Sequence, residues 1–196
     1  MKNHIFILDD YLESDKCEQI IKWFEEDTDR HIPGGVGPGI VDRRIKASTD
    51  LPCDVRHKTC KYSDILLPLL CGAMIRYTDE YPYLLDMAPW GLTNVYNIQK
   101  YVDGEGFLKL HCEAQIALNI NRIVAWTLYL NDAASGTEYP TQDTVVEAKQ
   151  GRLALFPATW THCHKGVTPN VGTKYIATGW YELVDGGQPK HCFTRD

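Results

Sequence analysis

The sequence predicts a mainly β protein, with N-terminal helices and its strands gathered in the C-terminal half. Three observations carry that prediction. After Trp90, short segments rich in β-branched and aromatic residues alternate with turn formers, which is the texture of an all-β sandwich or barrel. Before Trp90, apolar residues recur at helical spacing from Leu12 to Asp27 and from Tyr62 to Tyr83,. The 196 residues contain no internal repeat, no low-complexity run and no linker of disordered composition. That length suits one domain, 1–196, large enough to bury a real core.

The elements follow in order. Residues 4–8 (HIFIL) predict a short strand. The first helix is expected with Ser14 as N-cap and with Cys17, Ile20, Ile21 and Phe24 on one face,. Residues 31–44 (HIPGGVGPGIVDRR) hold four glycines and two prolines, too many for a regular element, so they predict a mobile loop. The second helix is expected to be interrupted at Pro68. Then come the strand candidates LTNVYNIQKYV, FLKLHCE, NRIVAWTLYLND, ASGTEYP, TVVEA, KQGRLALFPA and GTKYIATGWYEL. The division is a helical support over about 1–90 and a β core over about 91–184.

Composition bounds the partners. Twenty basic against 26 acidic residues give a formal charge of −6, with 44% hydrophobic and 23% charged residues. Such a chain is not a disordered tail, a coiled coil or a collagen. A nucleic-acid binder would show a basic stripe, so no nucleic acid is expected as partner. The longest apolar stretch, Ile65 to Ile75, contains Pro68 and is too short to span a bilayer, so no membrane is expected,. The start, MKNHIFILDDYLESD, turns acidic too early for a signal peptide,. Seven cysteines without a CxxC pair predict reduced thiols and a cytoplasmic protein,.

Two constellations could carry chemistry. In His111-Cys112-Glu113, a strand would project the imidazole and the carboxylate from one face,. In Thr161-His162-Cys163-His164, either histidine could supply a third ligand. Two histidines and one carboxylate leave open positions that suit non-haem Fe(II), while a zinc hydrolase or a non-catalytic cupin-like metal sensor stays possible on ligand type alone. Farther on, alternation puts Lys174, Ile176, Thr178 and Trp180 on one strand face,. A lysine among apolar neighbours needs an anion to face.

The order HxE, YLND with GTE, GRLALFPATWTHCHKG and GTKYIATGW resembles the prolyl-4-hydroxylase-like branch of the Fe(II)/2-oxoglutarate-dependent oxygenases, in texture its short bacterial and phage members. The likeness covers roughly residues 92–182. It implies a double-stranded β-helix (jelly-roll, cupin-like) core. It also implies Fe(II) and 2-oxoglutarate as cofactors, with ascorbate as an optional reductant. Carried over, it assigns iron to His111, Glu113 and His164, and the distal carboxylate of 2-oxoglutarate to Lys174. Tyr129 matches a tyrosine that supports that carboxylate, Tyr101 one that faces the site, and Trp180 an aromatic that walls the pocket. The distal histidine of the family lies about ten residues before the basic anchor, which favours His164 and leaves His162 either behind the ligands or at the rim.

The usual carboxylate of the family is aspartate, so Glu113 is a departure whose extra methylene must be absorbed locally. The implied reaction hydroxylates a C–H bond while 2-oxoglutarate gives succinate and CO2. Its expected substrate is a prolyl or other residue of a peptide or protein, or else a small molecule. The expected location is the cytoplasm of a bacterial or phage-infected cell. Residues 32–40, followed by Arg43 and Arg44, form the candidate lid.

Overall fold

The computed structural model describes residues 3–37, 39–56, 60–169 and 171–184. Strand β1 (Phe6–Leu8) leads into helix α1 (Ser14–Glu26). Strands β2 (Ile32–Pro33) and β3 (Thr49–Asp54) precede helix α2 (Lys61–Glu80). The C-terminal half holds β4 (Trp90–Leu92), β5 (Val95–Tyr101), β6 (Arg122–Tyr129), β7 (Gly136–Tyr139) and β8 (Thr144–Glu147). It ends with β9 (Leu153–Pro157), β10 (Lys165–Val167) and β11 (Lys174–Leu183).

All pairings are antiparallel. The large sheet runs β1-β9-β6-β11-β5-β3-β2, with β4 also paired to β11, and the small sheet runs β10-β7-β8. Period-two alternation divides the large sheet between two cores. One face of β6 sends Val124, Trp126 and Leu128 into a cluster with Ile20 and Phe24 of α1 and Leu66, Leu70 and Met74 of α2. The other face sends Ala125 and Tyr129 against Tyr139 and Val146 of the small sheet. Helices, large sheet and small sheet therefore stack as three layers. On the helical side, a Cβ at Gly179 would lie 2.7 Å from Trp126 Cζ2 and 2.9 Å from the Cβ of Tyr96. Only glycine lets β11 pass that buried indole.

Several expectations are corrected. Ser14 is the first helical residue of α1, and Glu13 occupies the cap without a side-chain hydrogen bond. Pro68 does not interrupt α2. Its ring is on the exposed side, so only one main-chain bond is lost, and the buried face of Tyr62, Leu66, Leu70 and Tyr77 carries the helix through,. The N-terminal half is not purely helical, because β3 sits inside the large sheet between β5 and β2. Its Pro52 and short length hid it. The glycine-rich segment holds the two-residue β2, paired to β3. FLKLHCE is no strand; it touches the fold through isolated bridges, Lys46 with Phe107 and His111 with His164. Cys17, Cys53, Cys60, Cys112 and Cys163 are free thiols, as expected. Cys71 is disulfide-bonded, against expectation; the isolated cysteines of the sequence carry no pairing signal. Among the described residues, no helix is long and apolar enough to cross a membrane.

Candidate active site

The site lies on the small-sheet side of β5, β6 and β11. His111 and His164 come from segments far apart in sequence, joined by two mutual main-chain bonds: His111 N–H donates to His164 O (3.0 Å) and His164 N–H to His111 O (2.7 Å). Each ring is oriented from behind. Nδ1 of His111 lies 2.9 Å from Lys109 O, and Nδ1 of His164 lies 3.0 Å from His162 O. A carbonyl can only accept, so each Nδ1 carries a proton and Nε2 is the ring nitrogen turned to the site. Phe107 stacks on His111 at 3.6 Å between centroids, and Phe156 meets His164 edge-on at 4.9 Å.

Glu113 completes the set. Its N–H donates to Ala158 O at 2.9 Å, which fixes the backbone where no strand exists. Oε1 lies 3.5 Å from His111 Nε2 and 3.3 Å from His164 Nε2. One ligand atom from each of the three residues lies within 4.8 Å of the others, a spacing that a single metal ion can bridge. Burial alone would raise the Glu113 carboxyl, but hydrogen bonding and charge from His111 and His164 hold it well below the usual range,. The carboxylate is therefore ionised and ready to ligate.

The other carboxylate oxygen is held separately. Trp180 Nε1 donates to Glu113 Oε2 at 2.7 Å. Arg122 Nη1 donates to the main-chain oxygen of Glu113 at 3.3 Å and lies 3.6 Å from Oε2. Its guanidinium carbon is 3.4 Å from the centroid of the Trp180 ring.

Lys174 and Trp180 both line a cavity of about 520 Å³ together with the metal-type cluster. Lys174 is paired across strands with Tyr101, and its Nζ sits 4.9 Å from that ring's centroid. The ammonium donates to Val167 O (3.2 Å) and Gly136 O (3.4 Å). No carboxylate among the described residues lies within ion-pair distance. Burial accordingly pulls its pKa from an ordinary 10.5 to about 8,. The site thus offers three metal-type donors and, in the same cavity, a buried cation awaiting an anion.

The remaining predicted residues fall as follows. Tyr101 lines the cavity and donates to Gln99 Oε1 at 2.7 Å. Tyr129 stands one layer behind, with its hydroxyl 2.7 Å from Thr137 Oγ1, and Thr137 reaches the cavity in its place. Of its two expected places, His162 takes the one behind His164 rather than the rim, and its main-chain oxygen meets His164 Nδ1. It is buried, with Nε2 2.8 Å from Asn3 O and Nδ1 2.9 Å from Thr161 Oγ1. Ile32, Gly35, Val36 and Gly37 line the cavity, as a lid segment would, whereas Arg43 pairs with Glu105 and Arg44 with Asp42 instead.

Sequence reasoning missed two groups. Arg122 was read only as the start of a strand. Lys46, Asp50 and Gln99 form a buried network on the cavity wall. Lys46 Nζ is 2.6 Å from Asp50 Oδ2, while Ser48 Oγ and Gln99 Nε2 also donate to that carboxylate. The period-two polar run Lys46, Ser48, Asp50 was the available signal.

The sequence model described as the 2OG-Fe(II) oxygenase superfamily matches residues 96–182. No curated protein matches the chain significantly. Among solved structures, a Pseudomonas putida prolyl-4-hydroxylase superposes with a TM-score of 0.68 at 16% identity, over 92% of this chain and 93% of that one. A Trichoplax adhaerens prolyl hydroxylase, in complex with a hypoxia inducible factor oxygen degradation domain peptide fragment, gives 0.70 at 17%, over 92% and 84%. The viral collagen prolyl hydroxylase of Paramecium Bursaria Chlorella virus-1, as its 2OG complex, gives 0.65 at 13%, over 92% and 97%. The shared architecture is the double-stranded β-helix, with the expected jelly-roll core.

Proposed function

We propose that the chain, whose residues 96–182 match the model of the 2OG-Fe(II) oxygenase superfamily, is a 2-oxoglutarate-dependent dioxygenase that hydroxylates a prolyl residue of a peptide or protein. Its cofactors are Fe(II) and 2-oxoglutarate. When bound, they supply the oxidising chemistry, converting 2-oxoglutarate to succinate and CO2 while one oxygen atom is delivered to a C–H bond.

The donors that would hold Fe(II) are Nε2 of His111, Nε2 of His164 and Oε1 of Glu113. Two neutral nitrogens and one anionic oxygen fit a divalent, borderline metal and leave positions free for the cosubstrate. Lys174 would take the distal carboxylate of 2-oxoglutarate, with Tyr101 beneath the ammonium and Tyr129 acting through Thr137. The single observation that carries this reading is the pairing, in one cavity, of that donor set with a buried lysine lacking a counter-ion among the described residues. A zinc hydrolase or a cupin-like sensor has no need of such a lysine. The peptide substrate is supported by the relative solved with a peptide fragment. The segment 32–37 at the cavity would close over it, excluding water while the substrate is seated. We also propose that residues 1–196 act as one domain, because α1 and α2 share a core with the large sheet. Five free cysteines, against one disulfide-bonded cysteine among the described residues, support a cytoplasmic location.

The test has two steps. Anaerobic protein with Fe(II) is expected to develop a weak visible charge-transfer band on adding 2-oxoglutarate. Succinate release under air, with ascorbate present, is then expected to rise with proline-containing peptides, which gain one oxygen by mass spectrometry. Absence of 2-oxoglutarate binding in the metal-loaded protein would overturn the oxygenase site. Release that is indifferent to peptides would overturn only the substrate.

A further inference from the structure

The two oxygens of Glu113 face different partners, and the difference has a chemical purpose. Oε1 points at the two imidazole Nε2 atoms, at 3.3 and 3.5 Å. Oε2 accepts the Trp180 indole N–H at 2.7 Å, with Arg122 Nη1 3.6 Å away. Arg122 is anchored in turn, stacked 3.4 Å over the Trp180 ring and bonded to the main-chain oxygen of Glu113. We propose that Trp180 and Arg122 are positioning residues that hold Oε2 away from the metal, so that Glu113 ligates through one oxygen only.

The proposal rests on the donor set assigned above. Glutamate has one more rotatable bond than aspartate, and its carboxylate can bind a metal through one oxygen or through both. A second oxygen on the metal would occupy a position that the keto acid needs. A charge-assisted hydrogen bond to that oxygen opposes the two-oxygen mode directly. Register explains why these residues can do it. Arg122 opens β6 opposite Glu182 of β11, two residues beyond Trp180. Alternation turns Trp180 to the cavity, and the longer Glu113 side chain carries its carboxylate out to meet the indole. The same pair thus accounts for glutamate at a position where the family usually has aspartate. On this proposal a shorter side chain keeps the imidazoles and gives up the indole.

A double-mutant cycle tests this, using Trp180→Phe, Glu113→Asp and their combination. Calorimetry would follow Mn(II) binding first and then 2-oxoglutarate binding to the Mn(II)-loaded proteins. Trp180→Phe keeps an aromatic wall but removes the donor. It is expected to weaken 2-oxoglutarate binding about tenfold, the usual scale for a hydrogen bond to a charged group, without weakening Mn(II) binding. In the Glu113→Asp background the same change is expected to have no further effect, since the shortened carboxylate no longer meets the indole. An equal loss in both backgrounds would reduce Trp180 to a packing role and overturn the proposal, as would no loss in the parent. Wild-type protein that binds neither Mn(II) nor Fe(II) would instead overturn the donor set itself, and this inference with it. Should Trp180→Phe not fold, Arg122→Gln runs the same cycle, with a smaller loss expected in the parent and none in Glu113→Asp.

Discussion

Replacing Lys174 with methionine is expected to make the protein more stable and unable to hold its cosubstrate. The ammonium is buried, has two carbonyl partners and no counter-ion among the described residues, and its pKa falls from 10.5 to about 8. A fall of that size corresponds to roughly 3 kcal/mol of unfavourable burial. Methionine fills similar space without charge, and leaving the two carbonyls unpaired returns about 1 kcal/mol. The expected net gain near pH 7 is about 2 kcal/mol, a rise in Tm of roughly 4–8 °C for a chain of this size. The sign of the pH dependence follows from linkage. Between pH 8 and 10.5 the unfolded lysine still carries its proton while the native one has shed it, so wild-type stability climbs with pH through that window. The variant lacks this climb, and its advantage should shrink toward pH 10. Thermal or urea denaturation at pH 7, 8.5 and 10 measures the difference. A methionine variant less stable than wild type at pH 7, or a difference flat with pH, would refute an uncompensated charge at Lys174.

The same lysine makes 2-oxoglutarate binding pH-dependent: calorimetry on the Mn(II)-loaded protein should show affinity falling as pH rises through about 8, and Lys174→Ala should lose on the order of a hundredfold. His164→Ala should abolish turnover and weaken metal binding sharply. His162→Ala should keep metal affinity yet lose roughly 1–3 kcal/mol in denaturant titrations, because it removes a buried hydrogen-bonded group. Tyr129→Phe should raise the apparent 2-oxoglutarate constant only a few-fold, since its hydroxyl meets Thr137 rather than the cavity. Pro68→Ala should stabilise the protein by about 1–3 kcal/mol by restoring a helical hydrogen bond on an exposed face,.

What was legible in the sequence follows the range of the interactions. Strands such as β6 and β11 declared themselves because both faces are filled by alternating residues whose character the pleat dictates. The candidate ligand histidines, Lys174 and Trp180 were legible through spacing and resemblance. β3 was not, since a six-residue strand with a central proline survives only by pairing with β5, a contact no local pattern encodes. For the same reason the extended geometry at His111 was attributed to a strand, when it comes from a bridge to His164 and a bond from Glu113 to Ala158. Pro68 shows the converse error: a strong local breaker was overruled by burial of the opposite helix face. Arg122 acts through Trp180 and Glu113, neither of which is its neighbour in sequence, so its role needed coordinates.

The pair of main-chain bonds between His111 and His164 bears on how the protein meets its metal. Closing a loop of more than fifty residues costs on the order of 3–4 kcal/mol of chain entropy. Here that cost is met by folding, before any ion arrives, whereas a zinc finger charges it to the metal. A chelator should therefore strip the ion and leave the far-ultraviolet circular dichroism unchanged, with thermal stability reduced only by mass action. Because folding does not select the ion, the prebuilt donors should follow the ordinary affinity order of divalent metals. Cobalt and nickel would then be expected to displace iron, and the organism's metal supply, rather than the fold, would decide which ion the site holds.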